Sequence, residues 1–269
     1  MKVTLITGAS GGIGEAIVNR LAERNHNLIL VARNAEKLES QCKNLIGRFG
    51  INVQFLAGDL SEPETAKRIF DETQKRGLEV EILINNAGIG SGGEFAALSL
   101  HQELSLLQLN VSSLVAITHL FLPGMQSRRS GCIINIGSMA AFMPVPYMAT
   151  YAASKAFVRS FTQALTQECT PYDINVMLFC PGLTKTNFNS AAGIDNEKGI
   201  GLGSDYNSTP AQTPEQVADE LIKALDKRKH FAISGKMNRF GARLLALLPN
   251  PFITKNIAKM YRKRIKINT

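Results

Sequence analysis

Nowhere in the chain do 18 apolar residues follow one another, so no membrane-spanning helix is expected. The N-terminus lacks the basic, apolar and small-residue succession of a secretory leader. Instead "MKVTLITG" runs straight into a strand-like segment, so no signal peptide is expected. Cysteine is scarce. Cys42, Cys132, Cys169 and Cys180 form no C-x-x-C pair, and none has a histidine at ligand spacing. That argues against a zinc module or a disulfide scaffold and leaves reduced thiols of a cytoplasmic protein. The four histidines are scattered, so no metal site is expected. No period of 20 to 50 residues repeats. Acid is almost missing from the C-terminal stretch: residues 223–269 hold 13 Lys or Arg and one acid, Asp226, a net +12 within a total of +8. The remainder carries −4, so the basic character belongs to the tail.

Hydrophobic residues make up 45% of the 269 and charged residues 19%, enough to bury one sizeable α/β core. "KVTLIT", "NLILVA", "NVQFLA", "VEILINNAG", "CIINIGS", "INVMLFC" and "FAIS" read as strands. Helical periods lie between them: after the glycine turn at 8–14, over 34–50, over 61–77 with Ser61 as cap, through 101–128, over 150–169, and from Thr213 with Pro214 at the first position. Most strands are continuous apolar runs, which predicts a mainly parallel sheet covered on both faces. The expected architecture is a single doubly wound α/β domain of Rossmann type over residues 1–235. Within it a polar, glycine-rich loop at 184–212 (Gly193, Gly199, Gly201, Gly203) serves as a substrate lid, and a basic amphipathic tail follows over 236–269.

"TGASGGIG", between strand one and helix one, spaces its glycines as Gly8, Gly12 and Gly14. Glycine permits positive φ and close backbone approach, and a helix N-terminus favours anions, as a dinucleotide pyrophosphate requires. An acid at the end of strand two would hold a ribose 2′-hydroxyl and repel a 2′-phosphate. Here "LVARN" puts Ala32 at that place and Arg33 after it. A guanidinium pairs with phosphate, so NADP(H) is expected over NAD(H).

The glycine turn, "NNAG" at 85–88, a serine closing strand five, Tyr-x-x-x-Lys in "MATYAASKAF" and "PGLTKT" at 181–186 stand in one order. Together they resemble the short-chain dehydrogenase/reductase family over residues 2 to about 235. The resemblance implies Tyr151 as catalytic acid/base and Lys155 as the residue that lowers its pKa and holds the nicotinamide ribose. It implies Ser138 as donor to the substrate carbonyl and Asn110 as holder of a water between Lys155 and solvent. On the cofactor it implies Asp59 at the adenine amino group, Asn86, Ala87 and Gly88 along the adenosine side, and Pro181, Gly182, Thr184 and Thr186 at the carboxamide and phosphates. Ser10, Ile13 and Leu60 complete that set. Family dimers and tetramers imply a homo-oligomer. The sequence departs from the pattern in having Gly11 where NADP(H)-preferring members often carry a second basic residue, Gly137 before Ser138, and Thr184 at the carboxamide position.

A ketone needs a hydride at carbon and a proton at oxygen. A tyrosine near pKa 10 is a poor base at neutral pH, and a neighbouring ammonium would pull it down. Helical geometry sets Lys155 about 6 Å along the axis and about 40° round from Tyr151, so both can face one cleft. The segment between serine and tyrosine (Met139, Phe142, Met143, Tyr147, Met148), with Phe188 after the "PG" turn, is expected to line an apolar pocket for a ketone, aldehyde or 3-oxoacyl chain; ordinary core packing is the alternative. In the tail, Ile253, Ile257, Met260 and Tyr261 share a face ringed by Lys255, Lys259, Arg262, Lys263 and Arg264. Three roles stay open there: packing on the domain or a subunit, peripheral membrane contact, and nucleic acid. No aromatic-rich basic groove supports the last, and no nucleic-acid partner is expected. The rival to an enzyme is a cofactor-binding regulatory or scaffolding protein whose catalysis is vestigial.

Overall fold

The computed structural model describes residues 1–188, 211–245 and 248–265. Its seven strands are β1 (Lys2–Thr7), β2 (Leu28–Ala32), β3 (Val53–Ala57), β4 (Glu79–Asn85), β5 (Gly131–Ile136), β6 (Ile174–Cys180) and β7 (Phe231–Ile233). They form one sheet in the order β3-β2-β1-β4-β5-β6-β7. Every pairing is parallel, so the expected "mainly parallel" becomes entirely parallel. Parallel neighbours need crossovers, and the helices supply them: α1 (Gly12–Ala22), α2 (Ala35–Phe49), α3 (Thr65–Lys75), α4 (Leu100–Leu107), α5 (Ser113–Arg128), α6 (Ala149–Cys169) and α7 (Pro214–Asp226). Two helices follow β7: α8 (Lys236–Leu245) and α9 (Asn250–Ile265).

The continuous apolar strands bury both faces. In β1, Ile6 packs with α1, α2 and α7, while Leu5 points to the other side with α3, α5 and α6; Leu30 and Ile29 divide the same way in β2. The strand order reverses between β1 and β4, which opens a crevice at the carboxyl ends of those strands.

Caps set the helix ends. Asn34 Oδ1 accepts from the Lys37 amide at 2.8 Å, and Gly50 closes α2 at φ 66°. Thr213 and Gln216 form a reciprocal capping box on α7. The helix expected from Ser61 starts instead at Thr65. The Ser61 amide and hydroxyl both donate to Asp59 Oδ1, at 2.9 and 2.7 Å, so the hydroxyl folds back on the preceding turn and does not cap the helix. The helix expected over 101–128 is broken by a π-helical turn at Gln108–Ser112. The whole stretch Leu100–Arg128 is long and apolar enough to cross a membrane by length and composition. Here Leu106, Leu114, Ile117, Phe121 and Met125 are buried in the protein's own interior.

A buried polar chain runs along one face of the sheet beneath the crevice. Asn85 in β4 donates to Thr118 Oγ1 of α5 at 3.0 Å and to Asn135 Oδ1 of β5 at 2.8 Å. Asn135 donates on to Thr162 Oγ1 of α6 at 3.0 Å. Asn85 and Asn135 are register partners, so pairing of β4 with β5 puts the two amides side by side. Thr162 lies roughly three turns beyond Tyr151 on nearly the same helical face. The chain therefore fixes the height and rotation of α6. Asn135→Leu keeps the volume and removes the central link. It should cost about 2 kcal/mol in urea unfolding, because a buried donor of Asn85 is left unpaired. A loss within error of zero would show that this chain carries no stability.

Candidate active site

The expected phosphate turn is built by close backbone approach. Gly8 stands at φ 66°, and a Cβ there would lie 2.8 Å from Asn86 Nδ2. A Cβ on Gly14 would strike the Gly8 carbonyl oxygen, so α1 can press against β1 only if residue 14 is glycine. Asn86 Nδ2 donates to the carbonyls of Thr7 and Gly8, and the amides of Asn86 and Ala87 donate to Thr7 Oγ1 at 3.0 Å each. Asn86 is thus a latch between the ends of β1 and β4. Thr7, which sequence reasoning passed over, is its centre; the residue just before the first glycine was the available signal. Helix α1 has Gly11 as N-cap and no side-chain cap bond, so no side chain competes for its first amides. Over Gly11, the one heavy atom within 4 Å of a notional Cβ is Lys37 Nζ, at 3.9 Å. Thr186 leans over Gly12, its Cγ2 3.2 Å from a notional Cβ. An open helix N-terminus with a cation beside it fits a pyrophosphate. Ser10 and Ile13 lie half-buried in this turn.

At the adenosine end, Arg33 is 75% exposed and its Nη1 is 3.9 Å from Asp59 Oδ2. Asp59 is otherwise held by Ser61. Leu60 turns its side chain into the core with Val3 and Leu5, so only its backbone can face a ligand. Lys37 was missed by sequence reasoning. Four residues past Arg33, on the first turn of α2, it reaches back across Gly11 and pairs with Glu15 at 3.6 Å.

Beyond the ends of β4 and β5 the four expected catalytic positions meet. Lys155 Nζ donates to the Ile136 carbonyl at 3.0 Å. A Cβ on Gly88 would lie 3.1 Å from Asn110 Oδ1 and 3.5 Å from Lys155 Nζ, so glycine at 88 leaves the space between them open. Asn110 sits in the π-helical turn. Its Oδ1 accepts from the Ile89 amide at 3.0 Å, and its Nδ2 donates to the Ile89 carbonyl at 2.9 Å and to Ser154 Oγ at 3.1 Å. Both amide protons are spent, so a water at this side chain can only donate to Oδ1. Ser138 Oγ accepts from the Ala140 amide at 3.1 Å and is hydrogen-bonded to Tyr151.

Burial dominates the electrostatics. It pushes the Tyr151 phenol up from its ordinary value, and the Ser138 hydroxyl pulls it part of the way back. It pulls the Lys155 ammonium down to about 8. The expectation that Lys155 lowers the phenol is not met by the protein chain alone. Ser138 supplies the downward pull.

On the substrate side the expected lining residues separate into two groups. Met143, Tyr147, Met148 and Phe188 cluster with Tyr151, and the Phe188 ring is 5.7 Å from the Tyr151 ring. Met139 and Phe142 pack elsewhere, with Leu114, Ile233 and Ala242. Phe142 lies beneath the Arg159 guanidinium at 4.5 Å, on the β7 side. The tail supplies residues not expected here: Ile257 and Tyr261 of α9 join the Tyr151 cluster. Tyr147 holds φ 67°, with its carbonyl accepting from the Gly93 amide at 2.8 Å, its hydroxyl accepting from Arg262 Nε at 3.4 Å and its ring 6.1 Å from Tyr261. The four-residue spacing of Ile253, Ile257 and Tyr261 was the signal for this face; Met260, expected on it, is exposed. Thr184 is buried, bridges to Gln212 and donates to the Gly182 carbonyl at 3.0 Å. Pro181 accepts from the Met139 amide at 3.1 Å. Most of the expected lid, including Gly193, Gly199, Gly201 and Gly203, lies outside the described residues.

Comparison with known proteins agrees with this geometry. The family model described as short chain dehydrogenase matches residues 2–197. "Dehydrogenase/reductase SDR family member 7B" of Xenopus laevis is 30% identical over 98% of this chain and 83% of its own length. Among solved structures, a short-chain dehydrogenase from Sphingobium yanoikuyae in complex with NADPH superposes with a TM-score of 0.79 at 31% identity, covering 93% of this chain and 96% of that one. A short-chain dehydrogenase/reductase from Burkholderia phymatum in complex with NAD gives 0.79 at 25% identity, covering 90% and 92%.

The lysine's position has a measurable consequence. An unfolded lysine titrates near 10.5 and the folded Lys155 near 8, so between those values the unfolded chain binds the extra proton and stability rises with pH. Below pH 8 the whole cost of the buried ammonium is present. Lys155→Met should therefore be most favoured, relative to wild type, at pH 7. That relative advantage should shrink by roughly 2–3 kcal/mol by pH 10 in urea unfolding. A pH-independent difference would show that the ammonium is not penalised.

Proposed function

Because the chain belongs to the short-chain dehydrogenase/reductase family, we propose that it is an NADP(H)-dependent reductase of an apolar ketone, aldehyde or 3-oxoacyl substrate. As a family member it is an oxidoreductase of the alcohol/carbonyl class, working on a small molecule with a nicotinamide cofactor. The observation that carries the finer reading is that Asn110 and Lys155 border the open space at Gly88, while one turn back on α6 Tyr151 is hydrogen-bonded to Ser138 and packed among apolar side chains.

A bound nicotinamide supplies the hydride, or takes it in the oxidative direction. The chain's own residues manage the oxygen. Ser138 donates to the carbonyl oxygen and orients it. Tyr151, held protonated by burial, gives that oxygen its proton, which suits reduction at neutral pH. The phenolate left behind is stabilised by the Lys155 ammonium, and is reprotonated through Lys155 and a water donating to Asn110 Oδ1. Lys155, lowered to about 8, releases and regains a proton close to neutrality.

The relatives hold NADPH in one structure and NAD in another, so the preference is argued from the residues of this chain. Ala32 presents no acid to a ribose 2′-hydroxyl. Arg33 is exposed with only a distant partner, and Lys37 stands near Gly11, supplying the second cation whose usual place is taken by that glycine. Exposed Phe95, Leu100, Leu104 and Phe157 support a homo-oligomer.

Tyr151→Phe should lower turnover on a ketone panel by about 10³-fold and leave NADPH binding, read by fluorescence, unchanged; undiminished turnover would sink the mechanism. NADPH binding by the wild type with no turnover on any carbonyl would favour the scaffolding alternative. Arg33→Ala should weaken NADPH at least about tenfold and NADH little, with Lys37→Ala acting in the same direction more weakly. Equal losses for both cofactors would refute the assignment of NADP(H).

A further inference from the structure

Helix α8 carries its large apolar side chains on the outside. Its inner side offers the small buried Ala242 and the half-buried Asn238. Met237, Phe240 and Leu244 are 69%, 70% and 50% exposed, and at 100° per residue they fall within roughly 60° of one another. Exposed Leu248 and Phe252 follow in the turn and at the start of α9. Cations border this stripe. Lys236 and Arg243 lie along one edge of it on α8, and Lys255 and Lys259 stand on the exposed side of α9. None of these four has an acidic partner among the described residues; Arg239 alone of α8 is paired, with Glu220 at 2.7 Å. No acid follows Asp226 in the chain.

So many large apolar side chains on so short a surface mark a docking site. A second copy of the chain fits poorly. A two-fold contact sets a patch against itself, and here cationic rim would meet cationic rim with no acid in the segment to relieve it. An anionic bilayer complements both features, since the headgroup–acyl boundary takes the apolar stripe and the lipid charge takes the lysines and arginine. We propose that α8 and the start of α9 dock the protein on an anionic membrane surface, with Met237, Phe240 and Leu244 entering the boundary. The same α9 lends Ile257 and Tyr261 to the Tyr151 cluster, so the docking segment is continuous with the wall of the apolar pocket.

Flotation of the full chain with phosphatidylcholine vesicles, with and without about 30% phosphatidylserine, tests this. The protein should float with the anionic vesicles and not with the neutral ones, and salt at about 0.5 M should release it. Lys255→Gln with Lys259→Gln should reduce partitioning roughly fivefold per charge. Phe240→Gln with Leu244→Gln should abolish it while melting temperature and NADPH binding stay as in wild type. Flotation that ignores lipid charge, failure of the wild type to float, or a Phe240/Leu244 variant that floats as well as wild type would each overturn the proposal. So would a variant whose one change is a smaller species on size exclusion, which would assign the stripe to self-association.

Discussion

The hydrogen-bonded chain Thr118–Asn85–Asn135–Thr162 ties the two helices that carry the site to the two strands that open it. Apolar packing alone would let α5 and α6 slide over a surface of isoleucines and leucines, since such contacts are non-directional. Buried amides pair at one register only, and an unpaired amide in that interior is costly. The amide donors of Asn85 and Asn135 are paired, which offsets part of the cost of burial although the Asn85 Oδ1 is left without a partner, and the return is position. Lys155 and Asn110 arrive at Gly88 from different helical segments at a fixed relative height.

Local geometry then narrows what the site can do. The π-helical turn shifts the side chains of Gln108–Ser112 relative to those of a regular helix, which lets Asn110 clamp both backbone groups of Ile89. The clamp holds open the space that Gly88, lacking a side chain, leaves between Asn110 and Lys155. Burial does the chemical tuning. It pushes the Tyr151 phenol up and brings the Lys155 ammonium down to about 8, which suits the proton donor and proton relay proposed for them.

The tail serves the site from one side and faces solvent from the other. Ile253 and Tyr261 are buried, Ile257 packs beside Tyr151's cluster, and Arg262 reaches Tyr147, which holds a positive φ against the strand-to-helix segment. A chain that had ended after β7 would leave that wall without its α9 side. The outward faces of α8 and α9 combine exposed Met237, Phe240, Leu244 and Phe252 with Lys236, Arg243, Lys255 and Lys259, none of which has an acidic partner among the described residues.

Residue spacing alone determined much. Continuous apolar runs specified a parallel sheet because a strand buried on both faces has no polar side to alternate with. The Gly8, Gly12 and Gly14 spacing marked a close strand-to-helix turn because glycine tolerates that approach, and Tyr151 and Lys155 were legible as one helical face because four residues make about one turn. What tertiary structure decided were relations between distant segments. Lys37 crosses to Gly11, Thr7 holds Asn86, Asn110 falls in a π-helical turn, and Met139 and Phe142 turn away while Tyr261 turns in. Periodicity records which face of an element is buried. It does not record what the face is buried against, and the direction of the Tyr151 shift is set by that environment, by burial working against the Ser138 hydroxyl.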